Sequence, residues 1–291
     1  MAETPAAFEI LEHQASDGYR WKYRRYREPS ASRGIVVFIH GIQSHGGWYE
    51  HSCAQLAGAG YQVYFLDRRG SGLNQEDRGD APSFRVLLDD IAEFLTALLR
   101  SSPNSTRALP VFLAAISWGG KLAVALERRN PGLIDGMILI CPGFYARVSP
   151  TLWQRICIFF SRIFRPSSLY PIPLSEPELF TATPKWQQFL REDPLRLHEA
   201  TARLLVESAR LDGYVSWSAS YVHVPVLLLL ASEDRIIRND WTRDFVSTFA
   251  TPDKRIIEYA GAHHTLEFES NPEQFIGDIR SWLDQRAGWA S

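Results

Sequence analysis

The chain has 291 residues, a formal net charge of -2, 45% hydrophobic residues and 22% charged residues. These values are typical of an ordinary globular protein, and they exclude a disordered chain, a collagen-like chain and a strongly basic nucleic-acid binder. The three cysteines, Cys53, Cys141 and Cys157, form no CxxC pattern, so we interpret them as reduced thiols of a cytoplasmic protein.

The N-terminal residues contain no basic segment followed by an apolar one, so they predict no signal peptide. No uninterrupted apolar run reaches the ~18 residues of a membrane-spanning helix. We therefore expect a protein that is soluble in the cytoplasm.

Short apolar runs alternate with segments whose apolar residues have helical spacing along most of the chain. Residues 19–24 alternate aromatic and basic side chains, which predicts a half-exposed strand. Nearly continuous apolar runs, typical of buried parallel strands, follow at 34–40, 61–67, 110–117, 136–142, 224–231 and 255–260. Helical spacing of apolar residues occurs between them, at 86–100, 118–129 and 272–286. This alternation predicts an α/β fold with a doubly wound, mostly parallel sheet.

The alternation stops between residues 145 and 221. Prolines crowd residues 166–184, helical patterns follow them, and no convincing strand is present. We predict that residues 145–221 form a helical cap over the carboxyl edge of the sheet, where open α/β sheets bind ligands. This cap divides the core into residues 1–144 and 222–291.

The first helix predicted in the cap, residues 151–165, is strongly amphipathic. At about 100° per residue, its apolar side chains fall within one arc of roughly 160° opposite the arginines, and Ile158 is the exception. Such a face suits a helix that lies in a membrane interface, where it predicts weak, reversible contact with anionic lipid. It equally suits a helix that covers an apolar acyl tunnel. The first alternative points the face outward and the second points it inward.

A serine with small neighbours follows the strand predicted at 110–117. The pattern Ala115-x-Ser117-x-Gly119 has alanine where G-x-S-x-G, the pattern of a nucleophile on a sharp strand-to-helix turn, has glycine. Such a turn needs small neighbours because it brings the strand and the helix close together. The alternative is that Ser117 is an ordinary helix N-cap.

An acid and a histidine also follow predicted strands further along the chain. Asp234 comes after residues 224–231, with Glu233 as the alternative, and His264 lies beside His263 in the loop after the last strand. Serine, acid and histidine in this order match the chain order of an α/β-hydrolase triad. In that chemistry, the histidine takes the proton of Ser117 and the acid orients the histidine.

A glycine-rich turn after the strand at 34–40 completes the predicted site. A turn of this kind can direct a backbone N–H group at a developing oxyanion. We expect the two donors to be the N–H groups of Ile42 and of Trp118, the residue after the serine. We interpret His40 and His45 as structural residues that shape this turn through hydrogen bonds.

These segments resemble the monoacylglycerol lipase, lysophospholipase and serine aminopeptidase branch of the α/β-hydrolase superfamily over nearly the whole chain. Residues 40–72 are similar to its HG-x-x-x-H segment and D-x-R-G-x-G turn. The sequences AISWGG, SEDRII and GAHHTLEFE are similar to its nucleophile elbow, acid loop and histidine loop. The family's G-x-x-H spacing, counted from Gly261, favours His264 over His263. Ala115 departs from the family's usual glycine.

The resemblance implies a serine hydrolase that cleaves carboxylic esters, such as a monoacylglycerol or a lysolipid-like molecule, through an acyl-enzyme. An aminopeptidase is the alternative, and it would need acidic groups near the cap. Glu176 and Glu178 lie there, but we interpret both as solvated surface residues. A non-catalytic interaction protein on the same scaffold is the alternative from another class, and the presence of all three triad residues argues against it.

Other kinds of chemistry find no support in the sequence. The pair Arg68-Arg69 precedes a glycine-rich segment, but the resemblance makes this a structural turn and not a phosphate site. There is no P-loop pattern and no metal-ligand spacing. We expect no cofactor, no metal and no nucleic-acid partner.

Overall fold

The computed structural model describes residues 8–26, 32–100 and 109–288. The first seven residues, part of the segment for which we predicted no signal peptide, lie outside these ranges. The described strands are β1 (Phe8–Gln14), β2 (Arg20–Tyr26), β3 (Ile35–Ile39), β4 (Gln62–Leu66), β5 (Val111–Ile116), β6 (Gly136–Ile140), β7 (Leu169–Pro171), β8 (Glu199–Thr201), β9 (Val226–Ala231) and β10 (Lys254–Tyr259). The α-helices are α1 (Glu50–Gly58), α2 (Phe84–Arg100), α3 (Gly119–Arg129), α4 (Leu152–Phe164), α5 (Pro184–Glu192), α6 (Ala202–Ser216), α7 (Asn239–Ser247) and α8 (Glu273–Arg286). Short 3-10 helices lie at Gly46–Trp48, Pro177–Leu179, Ala219–Tyr221 and Leu266–Phe268.

One twisted sheet of eight strands forms the centre of the molecule, in the order β1-β2-β4-β3-β5-β6-β9-β10. Six strands are parallel to one another: β4, β3, β5, β6, β9 and β10. At one edge, β2 pairs antiparallel with β4, and β1 pairs antiparallel with β2. The inner strands β3, β5, β6 and β9 are entirely buried. The helices beside the sheet form two groups: α1 packs with α8, and α2 packs with α3, onto which α6 of the insertion also packs. The predicted fold class is confirmed.

The edge of the sheet differs from the prediction in two ways. The strand β1 was not predicted, and it pairs with β2 along its whole length. We expected aromatic side chains that face the core to alternate with exposed basic ones along β2. This expectation is wrong at Arg24, which is buried because its guanidinium pairs with Asp67 at 3.2 Å. A paired charge can take an interior position that an unpaired one cannot.

Residues 145–221, which we call the insertion, leave the sheet after β6 and return at its neighbour β9. The insertion contains α4, α5 and α6, as the helical pattern predicted. The expectation that it holds no strand is wrong, because β7 and β8 pair as a small antiparallel sheet. Each has three residues, which is too short to produce a readable alternation in the sequence.

The amphipathic helix α4 begins with a capping box between Thr151 and Gln154. Its bulky apolar arc points outward: Trp153 is 72% exposed and Phe164 is 77% exposed. Ile158, the exception on the helical projection, is the buried side chain, at 6% exposure. The inward alternative is therefore wrong for most of this face. In the part of the chain that the structure describes, no helix has both the length and the apolar character needed to cross a bilayer.

Candidate active site

Ser117 occupies a sharp turn between β5 and α3. Its φ of 51° lies in the left-handed region, which residues other than glycine seldom adopt. Gly119 permits the turn, since a Cβ there would lie 2.8 Å from the carbonyl oxygen of His40. Ala115 is completely buried between β3 and β6, so the sheet accommodates the methyl group that replaces the usual glycine.

The side chain of Ser117 does not cap the following helix. The N-cap position of α3 belongs to Trp118, which makes no side-chain capping bond. The hydroxyl of Ser117 lies 2.9 Å from Nε2 of His264 instead. The N-cap alternative is therefore wrong.

His264 and Asp234 complete a hydrogen-bonded chain with Ser117. Nδ1 of His264 lies 2.7 Å from Oδ2 of Asp234, and both side chains are buried. The backbone N–H groups of Ile236 and Ile237 donate to the other oxygen, Oδ1, at 2.8 and 3.0 Å. Because a carboxylate only accepts hydrogen bonds, Nδ1 of His264 carries the proton and Nε2 is free to accept from Ser117.

The neighbouring alternatives lie elsewhere. His263 is turned away from Ser117, and its ring nitrogen Nδ1 lies 3.2 Å from Oε1 of Glu269. Glu233 is exposed to solvent, and its carboxylate accepts from Ser232 at 3.4 Å. Of the two adjacent pairs, only His264 and Asp234 point into the site.

Cys141 also lies at the site, although no pattern in the sequence indicates a chemical role for it. It follows β6 with a positive φ of 42°, and its sulfur lies within 4.8 Å of the ligating atoms of Asp234 and His264. Burial raises the pKa of the thiol well above its ordinary value, so the sulfur stays protonated. Since Asp234 and His264 already bond each other, we interpret this cluster as part of the serine site and not as a metal centre.

Glu267 is a second buried group that sequence reasoning missed. It lies three residues after His264, and one carboxylate oxygen accepts from the backbone N–H of Ser52 at 2.9 Å. The other oxygen has no hydrogen-bond partner among the described residues. Burial raises the pKa of Glu267 to about 7. No residue pattern signalled this burial, because it depends on the packing of α1 against the histidine loop.

The two predicted oxyanion donors line the same cavity as Ser117. The loop after β3, residues 40–49, passes so close that a Cβ on Gly41 would lie 3.2 Å from Cβ of Ser117. Ile42 and Trp118 both border the cavity beside the serine. Within the described residues, neither backbone N–H group has a protein acceptor, so both are available to a ligand.

His40 and His45 make the structural hydrogen bonds that we expected of them. Nδ1 of His40 lies 2.7 Å from the carbonyl oxygen of Gly41. Nε2 of His45 lies 2.9 Å from Oδ2 of Asp193, a residue of the insertion. The first bond lies within the loop after β3, and the second fastens this loop to the insertion.

A cavity of 460 Å³ extends from Ser117 between the core and the insertion. Its walls are mostly apolar and include Ile158 and Phe159 from α4, Leu205 from α6 and Ile236 from the core. Its polar groups include Lys121 and Asp212, which pair with each other at 2.5 Å. Such a cavity accommodates an apolar chain that ends at a polar, reacting group.

Comparison with known proteins agrees with this geometry. The sequence profile described as "Serine aminopeptidase, S33" matches residues 30–271. The chain belongs to this family. It is 26% identical over 276 residues to a monoacylglycerol lipase of Mycolicibacterium smegmatis, which covers 91% of this chain and 93% of that protein. It is also 26% identical over 290 residues to the monoglyceride lipase of Homo sapiens, covering 97% of this chain and 93% of that protein.

A solved structure gives the same relationship. The crystal structure of Paleococcus ferrophilus monoacylglycerol lipase superposes with a TM-score of 0.79 at 25% identity, and the match covers 90% of this chain and 98% of that chain. The resemblance to the monoacylglycerol-lipase-like branch of the α/β-hydrolases is confirmed. The enzyme is an ester hydrolase.

Proposed function

We propose that this S33-family enzyme cleaves lipid esters of the monoacylglycerol or lysolipid type, with Ser117, His264 and Asp234 as its catalytic triad. The hydrogen-bonded chain of these three residues, whose serine lines an apolar cavity, carries the proposal. The free thiols of Cys53, Cys141 and Cys157 suit a reducing compartment, and we propose the cytoplasm.

The first half of the reaction forms an acyl-enzyme. His264 takes the proton of Ser117 at Nε2 as Oγ attacks the ester carbonyl carbon. Asp234 holds the ring and stabilises the imidazolium that results. The carbonyl oxygen becomes an oxyanion between the N–H groups of Ile42 and Trp118, each worth about 2.7–4 kcal/mol. The C–O bond then breaks, and His264 returns its proton to the leaving alcohol.

The second half releases the fatty acid. A water molecule loses a proton to Nε2 of His264 and attacks the acyl carbon through a second oxyanion. Collapse breaks the bond to Oγ, and the proton passes from His264 to Ser117. The same three residues and two donors therefore serve both halves.

An acyl chain is the group that the cavity accommodates best. The apolar walls remove it from water, which contributes about 25 cal/mol per Å² of apolar surface buried. Named relatives that match nearly the whole chain are monoacylglycerol lipases. This combination favours a lipid ester over a small polar one.

The aminopeptidase alternative has less support. It needs a free carboxylate for the substrate ammonium, but Asp212, the carboxylate among the cavity's described lining residues, is neutralised by Lys121. Glu178 pairs with Arg191 outside the cavity. Rates on nitrophenyl esters of increasing chain length, measured beside aminoacyl anilides, separate the two activities. Preference for the anilides would overturn the lipid-ester proposal.

The role of Ser117 is tested with a fluorophosphonate probe. We expect the probe to label wild-type protein at Ser117, and Ser117→Ala to lose both labelling and turnover, the latter by about 10⁶-fold. Wild-type-like esterase activity in Ser117→Ala would refute the whole proposal.

The outward face of α4 supports contact of the enzyme with anionic lipid surfaces. Aromatic and aliphatic side chains are exposed there, with Arg162 and Arg165 on the other side of the helix. We expect wild-type protein to float with anionic liposomes and the double variant Phe160→Glu, Phe164→Glu to stay in solution. Trp217→Glu, at an exposed aromatic residue beyond α6, is the matched control. Equal flotation of the double variant and wild type would exclude this membrane contact.

A further inference from the structure

Arg68 lies behind the two backbone N–H groups that we assign to the oxyanion. Its guanidinium group donates to the carbonyl oxygens of Gly41 at 3.4 Å and Ile42 at 3.1 Å. It also lies over the indole of Trp118, with Cζ 5.0 Å from the ring centroid. One side chain therefore contacts both of the segments that carry the donors.

The contact at Gly41 acts on the direction of the Ile42 N–H group. The Gly41 carbonyl and the Ile42 N–H belong to one planar, trans peptide group, so they point in opposite directions. A donor that holds the carbonyl from behind therefore fixes the N–H toward the cavity. Arg68 and His40 both donate to this oxygen, at 3.4 and 2.7 Å.

His40 is itself fixed by Arg68. The backbone N–H of Arg68 donates to Nε2 of His40 at 2.9 Å, so the proton of the ring resides on Nδ1, which faces Gly41. This arrangement requires a neutral imidazole, and burial lowers the pKa of His40 to about 3. Arg68 thus supports the Gly41–Ile42 peptide through its side chain and through its backbone.

The positive charge of Arg68 is not neutralised by an ion pair in the described part of the chain. The adjacent carboxylate, Asp67, pairs with Arg24 at 3.2 Å instead. Burial lowers the pKa of Arg68 to about 10, which still leaves it cationic at neutral pH. A fixed, half-buried cation favours negative charge that develops nearby.

We infer that Arg68 is a positioning residue for the oxyanion site: it fixes the Gly41–Ile42 peptide and the Trp118 segment, and its charge favours the tetrahedral intermediate over the bound ester. The inference rests on the proposed function. Because the apolar cavity binds the substrate in its ground state, loss of Arg68 lowers kcat and leaves KM almost unchanged.

Arg68→Met removes the charge and both hydrogen bonds while keeping an unbranched side chain of similar reach. We expect kcat on a nitrophenyl ester to fall about 10- to 100-fold, less than the 10²–10³-fold loss of a direct donor, with KM within about twofold. A trifluoromethyl ketone of the same acyl chain forms an oxyanion adduct with Ser117. Its affinity should fall by the same factor as kcat/KM, whereas the affinity of the unreactive ether analogue should not change.

Arg128→Met is the matched control. Arg128 also donates to two carbonyl oxygens, those of Tyr214 and Trp217 at 3.2 Å, and stacks on the Tyr214 ring at 4.3 Å. It lies roughly 16 Å from Ser117 along α3, at 1.5 Å per residue. We expect this variant to keep the wild-type kcat and the wild-type affinity for the trifluoromethyl ketone.

Two results would overturn the inference: a kcat of Arg68→Met within about twofold of wild type, or a lower kcat with unchanged affinity for the trifluoromethyl ketone. If Arg68→Met does not fold, Arg68→Lys is the test variant, because it keeps the charge but loses the paired donors. Its kcat and its affinity for the trifluoromethyl ketone should both fall, by a smaller factor, while KM stays almost unchanged. Failure of the proposed function is distinct, since it would appear in the wild type as turnover that survives Ser117→Ala.

Discussion

Ala115→Gly restores the glycine that the G-x-S-x-G pattern usually has, and we expect it to cost stability but not activity. The methyl group is fully buried in the sheet. Burial of one such group contributes about 0.8 kcal/mol, and glycine in a strand costs roughly 0.5–1 kcal/mol in backbone entropy. The sum, about 1.3–1.8 kcal/mol, corresponds to a fall in Tm of roughly 3–7 °C for a domain of this size.

Activity should be unchanged because the turn at Ser117 is held by other contacts. The N–H of Ser117 donates to the carbonyl of Ile140 at 2.9 Å, and its carbonyl accepts from Gly143 at 2.7 Å. Thermal unfolding and the rate of fluorophosphonate labelling measure the two effects separately. Labelling that slows more than about tenfold would contradict this expectation, since the alanine methyl would then be needed to hold the serine in place.

Gly119→Ala is the contrasting variant. Its Cβ would lie 2.8 Å from the carbonyl oxygen of His40 and 3.0 Å from that of Ile39. Because these are backbone atoms, the loop after β3 must move away from α3, and the Ile42 donor moves with it. We expect labelling to slow by about 10²-fold or more, as for the loss of an oxyanion donor.

Three further predictions concern the loops after β9 and β10. His264→Ala should lower kcat by several orders of magnitude, whereas His263→Ala should stay within about tenfold; the reverse order in steady-state kinetics would move the base to His263. Asp234→Asn should lower kcat by about 10⁴-fold because the amide favours the wrong tautomer of His264. Glu233→Gln should have little effect on kcat. A mild loss of kcat in Asp234→Asn would contradict the role of Asp234. Burial raises the pKa of Glu267 from 4.5 to about 7, so the stability that this group contributes is complete below pH ~4.5 and is lost as the pH rises through 7. Urea unfolding measures the free energy of unfolding at pH 5 and at pH 8. The decrease between these pH values should be smaller in Glu267→Gln than in wild type, by up to about 3 kcal/mol. An equal decrease in the two proteins would contradict the raised pKa of Glu267.

The parts of the site that follow strands could be predicted from the sequence. Ser117 and Asp234 follow buried apolar strands, and parallel strands end at the same edge of a sheet. His264 follows β10, where the expectation of a buried strand is wrong: β10 is an edge strand and is mostly half-exposed or exposed. The short-range pattern therefore placed three distant residues together. The helices α1 and α7 were not predicted, because α1 has only a weak apolar face and α7 begins directly in the acid loop.

The remaining features depend on tertiary contacts that no local pattern records. Arg24 and Glu267 are buried because of groups more than 40 residues away in the sequence, Asp67 and Ser52. The sequence periodicity predicts the apolar arc of α4, but it does not determine whether this arc faces the core or the solvent. The structure buries Ile158, which lies outside that arc and lines the cavity, and leaves most of the arc exposed.

The adjacency of β6 and β9 has a consequence for the order in which the enzyme becomes active. Their pairing joins Met137 to Val226, so the chain must close a loop that contains the whole insertion before the sheet can grow past β6. The entropic cost of closing a loop rises only slowly with the length of the loop. Closure of this loop, however, cannot begin until β9 has been synthesised. The serine turn belongs to the early half of the chain, whereas the acid and the histidine are made after the insertion. A nascent chain that ends before β9 therefore lacks two of the three residues of the proposed triad, and we expect hydrolytic activity only after the last two strands dock.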